Sequence, residues 1–240
     1  MTDRFAATAA DDPAILVITP ARDASVALYF DGLPDAIRRR IRVLLPAEAE
    51  AAPELFMGAS LVILVRRFVN MGPIISRCGT LRIPLVYFVD DNVVQLSIED
   101  EGWESYSAGR LRRLLRRRFA GVVCGSGPLA EFFRRKRLHP EVAEWRPALP
   151  ADTPPLLAQP VPPSRFAFIG GSFRWRALRD TVLPALMAAS EGRPVTLFLR
   201  GFRDRGLEAA TVAQCRAAGI AIEPFPFELS YEAFQRRMRE

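Results

Sequence analysis

Two adjacent aspartates, Asp90 and Asp91, follow the apolar run VYFV at positions 86–89. Carboxylates in such a place either end a strand and cap the next segment, or they line a site. In open α/β sheets, ligands bind at the edge where the carboxyl ends of the strands meet. Taken alone, the two aspartates are better interpreted as the end of a strand. Whether they line a site instead depends on the residues around them.

Polar residues also follow other apolar runs in the first half of the chain. Arg66 comes directly after LVILV, and Ser126 lies between two glycines after GVVC. If these runs are parallel strands of one sheet, their carboxyl ends converge on one edge. None of these polar residues is a strong signal of a site by itself, so the prediction rests on all of them lying at one edge of the sheet. We therefore expect a cleft lined by Arg66, Asp90, Asp91 and Ser126.

The segment FIGGSFRWR in the second half has the residue types of a phosphate-binding turn. Its two glycines follow an apolar run and precede a helical pattern, so backbone N–H groups at the helix start would face an anion. Arginines just beyond would bind a diphosphate through paired hydrogen bonds. A tight turn with surface arginines is the alternative, because this motif is weak. The predicted anion-binding residues are Gly170, Gly171, Ser172, Arg174, Arg176, Arg200 and Gly201.

The segment RLRRLLRRRF at 110–119 is amphipathic, with its leucines and phenylalanine on one helical face and six arginines around the remainder. One interpretation is a helix packed on a sheet with a solvated face. The other is a basic surface that contacts an anionic membrane or an anionic substrate. Nucleic acid is not expected as a partner, since the chain has no recognised binding motif and no run of aromatics for base stacking.

The composition of the chain limits which partners and which kinds of catalytic or metal site can be expected. The formal net charge of +6 and the sequence pI of about 9.9 favour anionic partners. The three cysteines lie far apart in apolar sequence, so a reducing cytoplasm fits best. His139 is the only histidine and follows a helical pattern, which argues against a Ser-His-Asp or Cys-His centre and excludes a histidine-based metal site. We expect no metal and no cofactor.

The order of the apolar runs predicts an α/β fold. Six short, almost continuously apolar runs before residue 147 alternate with helical patterns, as in a parallel sheet covered on both faces. Seven prolines among residues 147–163 then indicate an extended linker, and the β-α pattern restarts after it. We predict two Rossmann-like doubly wound domains, at 1–147 and 164–240, joined by a Pro-rich linker at 148–163.

Three longer segments follow an arrangement known from one group of enzymes. PLVYFVDDNV is a strand with an acidic pair, FAGVVCGSGPLAEFFRRKRLHPEVAEWRPAL is a domain-closing pattern, and RFAFIGGSFRWRALRDTVLPALMAASEGRPVTLFLRGF opens a second domain with a strand, a glycine turn and a helix. In these segments, which cover most of residues 60–240, the chain resembles GT-B glycosyltransferases. Among them it is most similar to the retaining group called family 4 or "family 1-like".

The resemblance implies metal-independent transfer of a sugar from a nucleotide-sugar donor to a glycan, lipid or small-molecule acceptor. The donor diphosphate would contact the glycine turn and its arginines, which stabilise charge on the leaving group. Asp90 and Asp91 would face the acceptor, and no catalytic residue is assigned, because in retaining members the leaving phosphate itself assists. The enzyme would be cytoplasmic, and peripheral at the inner membrane face if residues 110–119 bind anionic lipid.

The resemblance also implies elements beyond the three predicted strands of the second domain. The family's Glu-x7-Glu donor pair lies late in that domain, and Glu232 and Glu240 have this spacing but come too early. We therefore expect an incomplete second domain and no full activity from these 240 residues alone. The alternatives to an enzyme are a non-catalytic glycosyltransferase-like binding module and an arginine-rich adaptor at a membrane surface.

Overall fold

The computed structural model describes residues 14–68, 70–99, 106–147, 164–169, 177–190, 193–200 and 209–225. The chain divides into two compact units, Met1–Thr153 and Pro154–Glu240. Each unit contains a parallel sheet with helices between its strands, which confirms the predicted class of two Rossmann-like α/β units. The predicted linker at 148–163 lies outside the described residues, and the domain limits stay a prediction.

The first unit is built on a six-stranded parallel sheet whose strands coincide with the six apolar runs of the sequence. Their order is β2-β1-β3-β4-β5-β6. The chain therefore winds in one direction from β1 to β2 and in the other from β3 onward. The reversal between β1 and β3 is a topological switch point, outside which open α/β sheets bind ligands. The strands are β1 Ile15–Ile18, β2 Ile41–Leu44, β3 Leu61–Val65, β4 Leu85–Val89, β5 Gly121–Cys124 and β6 Val142–Glu144.

Helices connect these strands, and several begin at a proline. Proline lies in the first turn of α3, α4 and α7, where its fixed φ suits the helix and its missing N–H costs nothing. The first helix widens into a π-helical turn, Ala27–Asp31. The helices are α1 Ala24–Val26, α2 Asp35–Arg38, α3 Pro46–Ala51, α4 Gly72–Leu81, α5 Val93–Glu99, α6 Ala108–Arg118 and α7 Gly127–Arg135, with a 3-10 turn at Pro53–Met57.

The sheet is buried on both faces because its strands place alternate side chains into two apolar layers. Leu16 and Ile18 of β1 belong to one layer, and Val17 belongs to the other. The second layer is rich in aromatic rings, and Tyr29 of the π-helical turn packs edge to face on Phe88 with ring centroids 4.7 Å apart. Such pairs stabilise a core by about 1 kcal/mol beyond the buried area alone. The near-continuous apolar runs in the sequence follow from this double cover.

An arginine side chain occupies each edge of the six-stranded sheet. The backbone of Leu44 bonds to β1, so the carbonyl of Val43 in edge strand β2 faces away from the sheet. Arg22 Nη2 donates to that carbonyl at 3.0 Å. At the opposite edge, Arg134 Nη2 donates to the carbonyl of Val142 in β6 at 2.9 Å. Exposed edge strands invite pairing with other chains, and these contacts fill one acceptor on each edge.

The second unit contains three parallel strands in the order β7-β8-β9, as the sequence predicts. Leu197 and Leu199 of the central strand are buried, together with Leu178, Cys215 and Ile220. The elements are β7 Arg165–Ile169, a π-helical turn Leu178–Val182 leading into α8 Leu183–Ser190, β8 Val195–Arg200, α9 Ala209–Ala217 and β9 Ile220–Phe225.

The buried thiols predict a loss of stability at alkaline pH. Burial raises the pKa of Cys78 to about 11 and that of Cys124 to about 12. Thiols of the unfolded chain ionise near pH 8.5, so above roughly pH 9 the unfolded state gains free energy from ionisation that the folded state does not. We expect the free energy of unfolding to fall between roughly pH 9 and pH 12, by about 2 kcal/mol for each thiol at ~pH 10.

Urea denaturation at ~pH 8 and ~pH 10 measures this loss. The variant Cys78→Ala should lose about 2 kcal/mol less than the wild type over the same interval, because it lacks one of the titrating groups. The comparison cancels the titration of tyrosines and arginines, which both proteins share. Equal losses in the two proteins would show that Cys78 is not a buried neutral thiol.

Candidate ligand site at the carboxyl edge of the first sheet

The loops after β1, β3 and β4 meet at the carboxyl edge of the first sheet. Ile18 at the end of β1 pairs with Leu64 of β3, so the two strands end nearly level. Their neighbouring loops then bring Asp23 and Asp90 within hydrogen-bonding distance of Arg66. Asp23 follows β1 and Arg66 follows β3, so this contact lies at the switch point of the sheet.

The guanidinium of Arg66 binds three carboxylates. Its Nε and Nη2 donate to the two oxygens of Asp90, with Nη2 to Oδ2 at 2.9 Å. Its Nη1 donates to Asp23 Oδ2 at 2.9 Å, and Nη2 lies 3.1 Å from Asp91 Oδ2. A paired contact of this kind is the strongest geometry available to arginine and a carboxylate, and lysine has no fork to reproduce it. The structure thus brings together three of the four residues expected in the cleft.

Arg66 occupies this place in a backbone conformation that costs energy. Its φ is +56°, in the left-handed region, which costs a non-glycine residue roughly 1–2 kcal/mol. Two hydrogen bonds hold the backbone there: Arg66 N donates to Phe88 O at 2.8 Å, and Tyr87 Oη donates to Arg66 O at 2.5 Å. The surrounding structure therefore over-determines the position of the guanidinium, as is common at functional sites.

The guanidinium of Arg66 stays charged among carboxylates. Burial alone would lower the pKa of Arg66, but the hydrogen bond to Asp90 and the charges of all three aspartates raise it above its ordinary value, so the guanidinium stays charged. One positive group faces three carboxylates. The side chain of Asp90 is 10% exposed, whereas those of Asp23 and Asp91 are 38% and 43% exposed. A ligand at this edge therefore meets carboxylate oxygens, which accept hydrogen bonds from hydroxyl or ammonium groups and repel anions.

Tyr29 and Gly125 lie beside Asp90 and hold the loop after β5 against the cluster around Arg66. Tyr29 Oη donates to Gly125 O at 2.9 Å, and Gly125 N donates to Val89 O at 2.8 Å, which fixes the loop after β5 against the end of β4. Burial raises the pKa of Tyr29, and the negative charge of Asp90 raises it further, so the phenol remains a donor. Ser126 follows as the N-cap position of α7, half-buried, and its hydroxyl does not cap the helix.

Sequence reasoning missed Asp23 and Tyr29. The only local signal for Asp23 is its position after an apolar run, where its Oδ1 accepts a hydrogen bond from Ser25 N at 3.0 Å. Tyr29 carries no signal, because its partner Gly125 is distant in the chain. Among the residues that the structure describes, no group of three or more His, Cys, Asp or Glu is arranged to hold a metal ion.

Of the seven residues predicted to bind a diphosphate, the structure describes only Arg200. Arg200 is the last residue of β8, at the carboxyl end of that strand. The other members lie outside the described residues and stay predictions, namely Gly170, Gly171, Ser172, Arg174, Arg176 and Gly201.

The packing around Gly125 predicts that a single methyl group disrupts the support of the cluster. A Cβ at Gly125 would lie 2.5 Å from Tyr29 Oη and 2.9 Å from Asp90 Cβ. We expect Gly125→Ala to lower the free energy of unfolding by about 2 kcal/mol. Tyr29→Phe should cost about 1 kcal/mol for the lost hydrogen bond. Because Tyr29→Phe also removes the closest clashing atom, the double variant should lose clearly less than the sum.

Urea denaturation of the four proteins measures this coupling, and Gly79→Ala is the matched control. Gly79 lies inside α4 with no atom within 4 Å of an added Cβ, so alanine there should be neutral or stabilising by up to ~1 kcal/mol. Strictly additive losses for Gly125→Ala and Tyr29→Phe would contradict the proposed contact.

Comparisons with known proteins give no family assignment. No family model matches the chain, and no curated protein matches it. Among solved structures, the chain is similar to the crystal structure of MurG from Acinetobacter baumannii, at 14% identity and a TM-score of 0.44, over 91% of this chain and 68% of that chain. This similarity assigns neither activity nor substrate, and the α/β class rests on the sheet topology described above.

Proposed function

We propose that this chain belongs to a metal-independent glycosyltransferase of the GT-B type, which transfers a sugar from a nucleotide-sugar donor to an acceptor. The observation that carries the proposal is the carboxylate-rich cluster around Arg66 at the switch point of the first unit. Exposed carboxylate oxygens held in fixed positions suit a hydroxyl-bearing acceptor. In the sequence of the second unit, the glycines that we assign to the donor, Gly170 and Gly171, directly follow β7.

The two aspartates of the predicted acceptor site would have different roles. Asp91 is the more exposed, and we assign it to hydrogen bonds with acceptor hydroxyls. Asp90 is nearly buried with both oxygens bonded to Arg66, so we assign it the role of positioning Arg66 rather than contacting the ligand. Neither is assigned as a general base. Developing charge on the nucleoside diphosphate would be stabilised by Arg174 and Arg176 and by the backbone N–H groups of the glycine turn.

Isothermal titration with UDP-, GDP- and ADP-sugars tests the donor half of the proposal. We expect one of these to bind, and Arg174→Gln/Arg176→Gln to weaken its binding tenfold or more, on the order of 1.4 kcal/mol or greater, because charge-assisted contacts to the diphosphate are lost. Arg216→Gln, which removes an exposed arginine of α9, is the charge control and should bind normally. Asp91→Asn should also leave donor binding unchanged, because we place it on the acceptor side.

If none of the three nucleotide-sugars binds, the enzyme proposal fails. Stable capture of a partner enzyme by a chain without donor binding would then support the alternative, a non-catalytic glycosyltransferase-like module. Weakened donor binding in Asp91→Asn would contradict the division into acceptor and donor residues.

A second proposal concerns the arginines at residues 110–119. All six of these arginines lie on α6. None of them forms an ion pair with a carboxylate within the part of the chain that the structure describes. We propose that this surface binds an anionic membrane, in keeping with a peripheral location on the cytoplasmic side. No helix in the described ranges is long and apolar enough to cross a bilayer.

Co-sedimentation with phosphatidylcholine vesicles, with and without phosphatidylglycerol, measures this association. Arg113 and Arg117 are exposed, and each arginine near an anionic surface contributes about 1 kcal/mol. We expect Arg113→Gln/Arg117→Gln to bind the anionic vesicles about 25-fold more weakly. The control Arg42→Gln/Arg216→Gln removes two exposed arginines elsewhere and should bind like the wild type. Equal binding to vesicles with and without phosphatidylglycerol would refute the proposal.

A further inference from the structure

Basic residues collect at the amino edge of the first sheet, opposite the cluster around Arg66. Each connecting helix of a parallel sheet runs back against the strands, so its last turn lies near the amino end of the next strand. The last turn of α6 carries Arg116, Arg117 and Arg118 directly before β5. The end of α7 carries Arg134 and Arg135, and 136–137 continue the basic run before β6.

Two hydrogen bonds join these helix ends into one surface. Arg112 Nη2 donates to Lys136 O at 2.7 Å, and Arg116 Nη2 donates to Arg137 O at 3.1 Å. Both acceptors lie at the carbonyl-rich end of α7, where positive side chains are favoured. The side chains of Arg112 and Arg116 thus join the ends of α6 and α7. The neighbouring basic side chains are available to bind a partner.

The available cations extend across the sheet. They are exposed and form no ion pair within the described residues, and we call them the amino-edge basic surface: Arg39, Arg40, Arg82, Arg117, Arg118, Arg135, Lys136 and Arg137. Arg82 and Arg137 have left-handed backbones, with φ of +55° and +51°, at helix ends where glycine is the unstrained choice. The chain carries positive side chains at these two positions despite a backbone cost of roughly 1 kcal/mol each.

Exposed aliphatic side chains lie among these arginines. Leu81 ends α4 beside Arg82, and Ile37 of α2 precedes Arg39. Both belong to the few large apolar side chains that are exposed in the described part of the chain, and no aromatic ring is among them. Aliphatic groups amid cations suit the interface of a bilayer. Nucleic acid binding would use aromatic stacking or base contacts instead, so the combination favours lipid.

We propose that the first unit docks on an anionic bilayer through its amino edge, with the carboxylate cluster around Arg66 facing away from the membrane. This inference rests on the membrane part of the proposed function and adds the orientation and the residues responsible. The strands hold the two edges apart by about 15 Å, which exceeds the ~8 Å screening length at physiological salt, so the negative cluster does not oppose docking. An acceptor would then reach the site from the aqueous side.

Lipid-dependent quenching tests the orientation. Thr80 lies in the last turn of α4 at the amino edge, and Gln95 lies in the first turn of α5 at the carboxyl edge, both exposed. Thr80→Cys and Gln95→Cys each accept a fluorescent thiol probe, while the native Cys78, Cys124 and Cys215 are buried. With spin-labelled lipid in phosphatidylglycerol vesicles, we expect the probe at position 80 to lose fluorescence and the probe at position 95 to keep it.

A second experiment tests whether the partner of this surface is lipid or nucleic acid. Leu81→Gln should weaken vesicle binding severalfold and leave binding to a duplex oligonucleotide unchanged, since an aliphatic group adds affinity only for lipid. Tighter binding to the duplex than to anionic vesicles would overturn the proposal in favour of nucleic acid. Vesicle binding with stronger quenching at 95 than at 80 would overturn the orientation alone. Absence of vesicle binding would reject both membrane proposals and leave the donor titration as an independent test of the enzyme.

Discussion

The first unit depends on the contact between the Arg66 guanidinium and the carboxylate of Asp90. This pair joins the ends of two neighbouring strands, and through Asp23 it also reaches the loop after β1 across the switch point. Removing Arg66 would leave the nearly buried carboxylate of Asp90 uncompensated, which costs about 3–5 kcal/mol. The left-handed backbone of Arg66, held by Tyr87 and Phe88, exists only because the strands beside it are already packed. The site is therefore a consequence of the assembled sheet.

Arginine serves several different physical purposes in this chain, which explains why it outnumbers lysine so strongly. Arg66 organises carboxylates, Arg22 and Arg134 occupy the outward carbonyls of the two edge strands, and Arg112 and Arg116 join two helix ends. The contacts of Arg66 use the planar, multi-donor geometry of the guanidinium, which the single ammonium of lysine does not reproduce, whereas the other four arginines each donate one Nη2 hydrogen bond to a backbone carbonyl. The high pI is thus partly a by-product of structural contacts, and only the remaining cations are available for partners.

Much of the fold follows from local pattern. All nine described strands coincide with apolar runs, and the runs of β1, β3 and β4 are apolar throughout because these strands are covered on both faces. The helices α3 and α5 were not predicted, since each is short and its pattern is weak beside the strong runs around it. The π-helical turn at Ala27–Asp31 also has no sequence signal. It is held by packing of Tyr29 on Phe88 and by a hydrogen bond to the distant Gly125.

Residue types and their order along the chain were enough to predict the α/β class, the strands, the arginine-rich helix and the convergence of Arg66, Asp90 and Asp91 on one edge. These features depend on residue type and on spacing along the chain, which a sequence displays directly. Contacts in the folded chain were needed to show that Asp23 joins them, that Asp90 is nearly buried while Asp91 is partly exposed, and that Gly125 must lack a side chain. Those facts depend on strand order and on contacts between residues far apart in the chain, and the order β2-β1-β3 is what places the loops after β1 and β3 side by side.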